Sequence, residues 1–249
     1  MTTASSAIEL WLVDCDRCAP ALQRIERDLP RLTQDDRARA QAIKDRRERG
    51  RRLAAYTALR LLIERVAGPA VRGLPFVRVV GSKPTLAGGV EFNLSHTDAH
   101  ALIGVSRGLP LGVDIEKLRP AKMSARRLAE IVALATGLGD KPLPRLDGER
   151  ALLQAWARLE AFAKVRGVGL AQTLTDAGLR GKGRAQVPPA QVEAAARRLL
   201  GEAGLAVHDV RLLPGLFGAV AAPRGAHPGR VRTLPAQRAA IGRLLGERQ

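Results

Sequence analysis

The stretch Val90–Glu116, VEFNLSHTDAHALIGVSRGLPLGVDIE, holds three short aliphatic runs, Val90–Leu94, Ala101–Val105 and Leu111–Ile115, parted by Gly, Pro and polar turns. Runs of that length bounded by turn residues read as strands. Phe76–Val80 reads as another strand just before them. Upstream lie a strand over Ile8–Val13 and an amphipathic helix from about Pro20 to Leu29, stopped by Pro30. Thr33 is a plausible N-cap for a basic helix in which Arg37–Arg52 carries seven Arg and one Lys. Leu53, Ala54, Ala58, Leu61, Leu62 and Val66 continue it at helical spacing until Gly68-Pro69.

Downstream of Glu116 the order begins again. Helices are expected near Ser124–Thr136, Glu149–Val165 and Ala190–Gly201, then strands at Ala206–Leu213 and Phe217–Ala222. Helices leading into antiparallel strands, given twice, predict an α+β protein of two similar halves forming a pseudo-dimer. The halves are taken as 1–110 and 111–226, followed by a peripheral basic tail over 227–249. No sequence repeat is legible.

The 249 residues suffice for one large domain or two small ones. No apolar run approaches the ~18–20 residues that cross a bilayer, and MTTASSAIEL lacks the plan of a signal peptide. A cytoplasmic chain with no membrane partner is therefore expected. A net charge of +17 points to an anionic partner or substrate. Nucleic acid is not favoured, because aromatics are 3% of the chain and leave few platforms for stacked bases. Cys15 and Cys18 form a lone CxxC with no second pair to complete a zinc shell. A redox pair should open a helix, which Pro20 is expected to delay, so two reduced, partly buried thiols are the reading.

Three segments carry chemistry. Phe92-Asn93-Leu94-Ser95-His96-Thr97 ends a strand in hydrogen-bonding groups, although adjacent Ser and His diverge on a strand and form no dyad there. Gly112-Val113-Asp114-Ile115-Glu116 puts two carboxylates on one strand face, where like charges need a cation between them. Either Mg²⁺ fills that need, or a solvated face pairs with Lys117 or Arg119. In Trp156-Ala157-Arg158-Leu159-Glu160-Ala161-Phe162-Ala163-Lys164, followed by Gly167-Val168-Gly169-Leu170, residues 156, 160 and 164 share one helix face.

FNLSHT, GVDIE and WARLEAFAK with GVGL, in this order and spacing, resemble the 4′-phosphopantetheinyl transferases of the longer, pseudo-dimeric type that activates surfactin synthetase. Lys83-Pro84 and the basic helix around Arg51 add a looser match, so the likeness spans about residues 35–170. The resemblance implies a holo-[carrier protein] synthase. Such an enzyme transfers the phosphopantetheine arm of coenzyme A to a serine of an acyl or peptidyl carrier protein and releases adenosine 3′,5′-bisphosphate. It implies Asp114, Glu116 and Glu160 as Mg²⁺ ligands and Lys164 at the pyrophosphate. Ser95 and His96 would meet the coenzyme A phosphates, with Lys83 and Arg51 on the nucleotide, whose side is the N-terminal half. Glu160, Lys164 and His96 would be catalytic, the carrier an acidic partner, and the chain a monomer.

Two positions depart from the family. Leu159 stands where a lysine usual for the family precedes the metal-binding Glu, and Val168 separates the two glycines. Leu159 keeps alive a second reading, a weakened relative that only binds carrier protein or nucleotide. Arg158 faces about 100° away and is an uncertain substitute.

Overall fold

The computed structural model describes residues 8–79, 82–120, 123–144, 146–180 and 185–246. Its first half runs β1 (Ile8–Asp14), α1 (Cys15–Asp28), α2 (Gln34–Gln41), α3 (Arg46–Ala67), β2 (Val90–Thr97) and β3 (His100–Arg107). Its second half runs β4 (Gly112–Lys117), α4 (Ala125–Leu138), α5 (Gly148–Arg166), α6 (Leu170–Asp176), α7 (Pro189–Glu202), β5 (Leu205–Asp209) and β6 (Leu216–Pro223). β7 (Pro228–Thr233) and α8 (Arg238–Leu244) follow. The fold is mixed α+β, as expected. In each half a strand, a set of helices and an antiparallel hairpin follow one another, and the hairpin's second strand pairs with the first strand. The resulting orders are β2-β3-β1-β7 and β4-β6-β5.

Local chemistry sets the helix boundaries. The Asp14 side chain accepts a hydrogen bond from Arg17 N at 3.0 Å and starts α1 at Cys15. The CxxC therefore does open a helix, with Pro20 carried inside it, against the sequence expectation. Both thiols are buried, and burial pushes Cys15 up to about 12 and Cys18 up to about 11, so neither is a thiolate at neutral pH. The basic helix is two helices. Thr33 and Asp36 form a capping box on α2, and Asp45 accepts from Glu48 N at 2.7 Å to restart the chain as α3.

The expected strand at 76–80 reduces to one bridge between Val77 and Thr85, with Pro75 and Pro84 beside it; Val80 lies outside the described residues. β5 stops at Asp209 rather than Leu213. Of the segment 227–249, expected to be a peripheral tail, residues 228–246 place β7 parallel to β1 and bury Leu234 and Ile241 in the first core, while 247–249 lie outside the described residues. Its Pro228-Gly229 start hides a strand from pattern reading.

Among the described residues, three apolar clusters hold the fold together. One lies between the first sheet and α1 and α3, around Trp11, Leu22, Leu61 and Ile103. A second packs α4, α5 and α7 against the second sheet, around Leu134, Phe162 and Val207. The third joins the two sheets through Ile8, Leu10, Leu102, Leu111, Val113 and Val220. Each fully buried aliphatic side chain contributes roughly 1.5–3 kcal/mol relative to exposure, so the third cluster fixes the halves against each other.

Candidate active site

Where β2 meets β4, the halves exchange polar contacts instead of a backbone ladder. Asn93 Oδ1 accepts Val113 N–H at 2.9 Å, and Ser95 Oγ donates to Asp114 Oδ1 at 2.7 Å. Both contacts are buried. They fix the strand that carries Asp114, whose side chain is buried as well.

Gly112 lets α5 reach that strand. A Cβ there would stand 2.3 Å from Ala161 O and 2.5 Å from Val165 N, so only glycine permits this approach. The close packing brings Lys164 Nζ to 2.6 Å from Asp114 Oδ1 and 3.3 Å from Val113 O. Asp114 Oδ1 thus accepts from both Ser95 and Lys164, whereas Oδ2 is buried and, among the described residues, has no hydrogen-bond partner. Glu160, one turn before Lys164, is half-buried, and burial raises its pKa. Lys164 counters that rise, and the carboxylates of Asp114 and Glu116 add to it. The three carboxylates therefore act on one another across β4 and α5. Glu116 meanwhile ion-pairs with Arg119, the solvated-face alternative, while Lys117 goes instead to Asp98. Among the described residues no three His, Cys, Asp or Glu side chains stand close enough to form a ready metal cage.

His96, next to Ser95 on β2, is half-buried, and burial with the nearby Arg52 and Lys164 charges pushes it down to about 4. At neutral pH the ring is uncharged. It can donate or accept a hydrogen bond, but it adds no positive charge of its own. It lines a shallow cleft with Cys15, Arg51 and Arg52.

Arg51 is fully engaged. Its guanidinium donates to both Asp16 oxygens at 2.9 and 2.8 Å and to Asp98 at 2.6 Å, tying α1, α3 and the β2–β3 turn together. Those bonds hold Asp16 and Asp98 well below the usual carboxylate range. Arg52 is more loosely held, 3.6 Å from Glu48. Lys83 lies apart: its ammonium pairs with Glu91 at 2.6 Å and reaches Leu111 O at 3.4 Å. Glu91 is five residues from His96 along β2, roughly 17 Å away.

The structure thus brings Ser95, Asp114, Glu160 and Lys164 together, sets His96 alongside, and puts Arg51 and Lys83 on opposite flanks. Sequence reasoning missed Asn93 as the strand's anchor. It also left Arg158 open as a substitute for a lysine at 159. Arg158 is fully buried, donates twice to Asp209 at 2.7 Å and holds the loop after α4 through Ala135 O and Lys141 O. Leu159 is fully buried in the second core, which suits an aliphatic side chain and would not suit a lysine.

No family model matches the chain. Two known proteins are similar to it. HetI, a 4′-phosphopantetheinyl transferase of Nostoc sp., is 28% identical over 178 residues, which cover 69% of this chain and 73% of HetI. The similarity is to phosphopantetheinyl transferases. The second relative, slr0495 of Synechocystis sp., whose name assigns it the same activity provisionally, is 28% identical over 170 residues, 65% of each protein. Both names support the superfamily and the general transfer of phosphopantetheine, and neither mentions the surfactin-activating type. No helix among the described residues is long and apolar enough to cross a membrane.

Proposed function

We propose that this chain is a holo-[carrier protein] synthase. It would move the 4′-phosphopantetheine arm of coenzyme A to a serine of an acidic acyl or peptidyl carrier protein. The observation that carries the reading is the cluster at the β2/β4 junction: three interacting carboxylates, one with a buried oxygen lacking any partner, and a lysine pinned beside them. An all-oxygen, negatively charged donor set of this kind suits a hard divalent cation such as Mg²⁺. Asp114, Glu116 and Glu160 would hold it, with Glu116 exchanging Arg119 for the metal. Bound there, the cation supplies charge neutralisation for the pyrophosphate of coenzyme A.

The chain's own residues account for the remaining roles. Lys164 contacts the pyrophosphate from the Asp114 side. Ser95 and neutral His96 hydrogen-bond the phosphates, while Arg51, Arg52 and Lys83 offer positive charge to the nucleotide from the flanks. For Arg51 this requires phosphate to displace Asp98. Glu160, or a water it orients, would accept the proton of the attacking serine hydroxyl, a role helped by the higher proton affinity that burial gives its carboxylate. The serine oxygen bonds to the β-phosphorus as the P–O bond to the bridging oxygen breaks, and adenosine 3′,5′-bisphosphate leaves. The excess of basic residues attracts an acidic carrier through solvent. A monomer in the cytoplasm is the simplest setting.

Mass spectrometry of an apo carrier protein after incubation with coenzyme A, Mg²⁺ and this chain tests the reading. One phosphopantetheine arm on a serine is expected. Coenzyme A and carrier binding without modification would instead favour a weakened relative that binds only, the reading that Leu159 keeps open.

A further inference from the structure

The repeated connectivity creates a second junction. β5 occupies in its sheet the place that β2 occupies in the first, and β1 corresponds to β4. The β2/β4 junction is the candidate active site, and its counterpart would set β5 against β1. The chain instead lays β7 along β1, and a groove of about 950 Å³ opens between β7 and the end of β5. That volume is within the range of small-ligand sites.

The groove is cationic for a specific reason. Lys141, Arg211 and Arg230 line it, and among the described residues none of their side chains has an ion-pair or hydrogen-bond partner. The two acids on its wall are already committed: Asp140 bonds to His208 Nδ1 at 2.8 Å, and Asp209 takes the Arg158 guanidinium and the Gln154 amide. With Nδ1 so occupied, His208 Nε2 is buried and, among the described residues, has no partner. Three uncompensated cations thus line a concave space beside that imidazole, whereas, among the described residues, its wall offers no free carboxylate to hold a metal. A ligand with several anionic oxygens satisfies the three cations, and a neutral or cationic one does not.

We infer that this groove is a second, non-catalytic site for a small phosphorylated molecule bearing a diphosphate or comparable polyanion. The inference does not depend on the transfer reaction. Inorganic pyrophosphate titrated calorimetrically into the full chain, with EDTA present to keep divalent metal out, tests it. The expected result is saturable binding that weakens by about tenfold or more in the Arg211→Ser/Arg230→Ser double variant, the scale of losing two charge-assisted contacts. It should survive Lys164→Ala. Phosphopantetheine transfer, measured in parallel, should be unchanged in the double variant, whose exposed positions leave the fold intact. Equal pyrophosphate affinity in the double variant, or binding abolished by Lys164→Ala, would overturn the inference. So would an acidic protein held on this face with no saturable pyrophosphate binding, because the groove would then be a docking surface.

Discussion

Two charge clusters flank His96, and they differ in how completely their charges are met. Around Arg51 every carboxylate has a cation: Asp16 takes Arg51 and Arg47, and Asp98 takes Arg51 and Lys117. Their pKa values fall accordingly. Around Asp114 the balance is reversed. One lysine serves Asp114, an oxygen of Asp114 has no partner, and Glu160 is pushed toward its neutral form by burial and by two neighbouring carboxylates. A satisfied cluster stabilises the fold and has little left to offer a ligand. An unsatisfied one costs stability and persists where something else completes it.

The strongest way to break this contrast is Glu160→Gln. Transfer should fall by about 10²–10⁴-fold, the scale of losing an acid–base group, while the melting temperature holds or rises because a desolvated carboxylate has gone. Asp114→Ala should also abolish transfer. Asp114 accepts one buried and one partly buried hydrogen bond, so denaturant unfolding should show a loss of roughly 1–3 kcal/mol.

Leu159→Lys ranks next. The position is fully buried, so the substitution should cost roughly 3–5 kcal/mol, read as a drop in melting temperature, rather than tune the rate. Arg51→Ala should lower stability by roughly 1 kcal/mol, since Asp16 and Asp98 are partly screened by water. Steady-state kinetics should show Arg52→Ala raising the Michaelis constant for coenzyme A more than Arg51→Ala does. Equal effects would mean that phosphate readily displaces Asp98.

The effect confined to acid pH concerns His96. Its folded pKa of about 4 lies below the ordinary value of 6.5, so below pH 6.5 the unfolded chain binds the extra proton more readily. The associated stability is complete above pH 6.5 and lost as pH falls toward 4. Urea midpoints should decline over that window less steeply in His96→Asn than in the original protein.

Much of this was legible in the sequence. The β2–β4 strands, both long helices of the site and the face shared by Glu160 and Lys164 follow from periodicity and caps. What escaped depends on contacts between segments far apart in the chain. Asn93 looks like any polar residue at a strand end until Val113 N–H is found against it. Gly112 is one residue of an aliphatic strand in the sequence, and its purpose appears only when α5 lies on top of it. Arg51 was placed on the nucleotide with no carboxylate partner foreseen, because Asp16 and Asp98 lie 35 and 47 residues away. β7 was missed because an edge strand can begin with Pro-Gly and still pair.

The central claim is that the unsatisfied carboxylates, and not the saturated pairs around Arg51, serve a divalent cation and the coenzyme A pyrophosphate. Calorimetric titration of Mg²⁺ in the presence of coenzyme A tests it most directly. The account predicts one cation per chain, bound about tenfold or more weaker in Glu160→Gln and almost unchanged in Arg51→Ala. Mg²⁺ affinity that is the same in Glu160→Gln as in the original protein would contradict it.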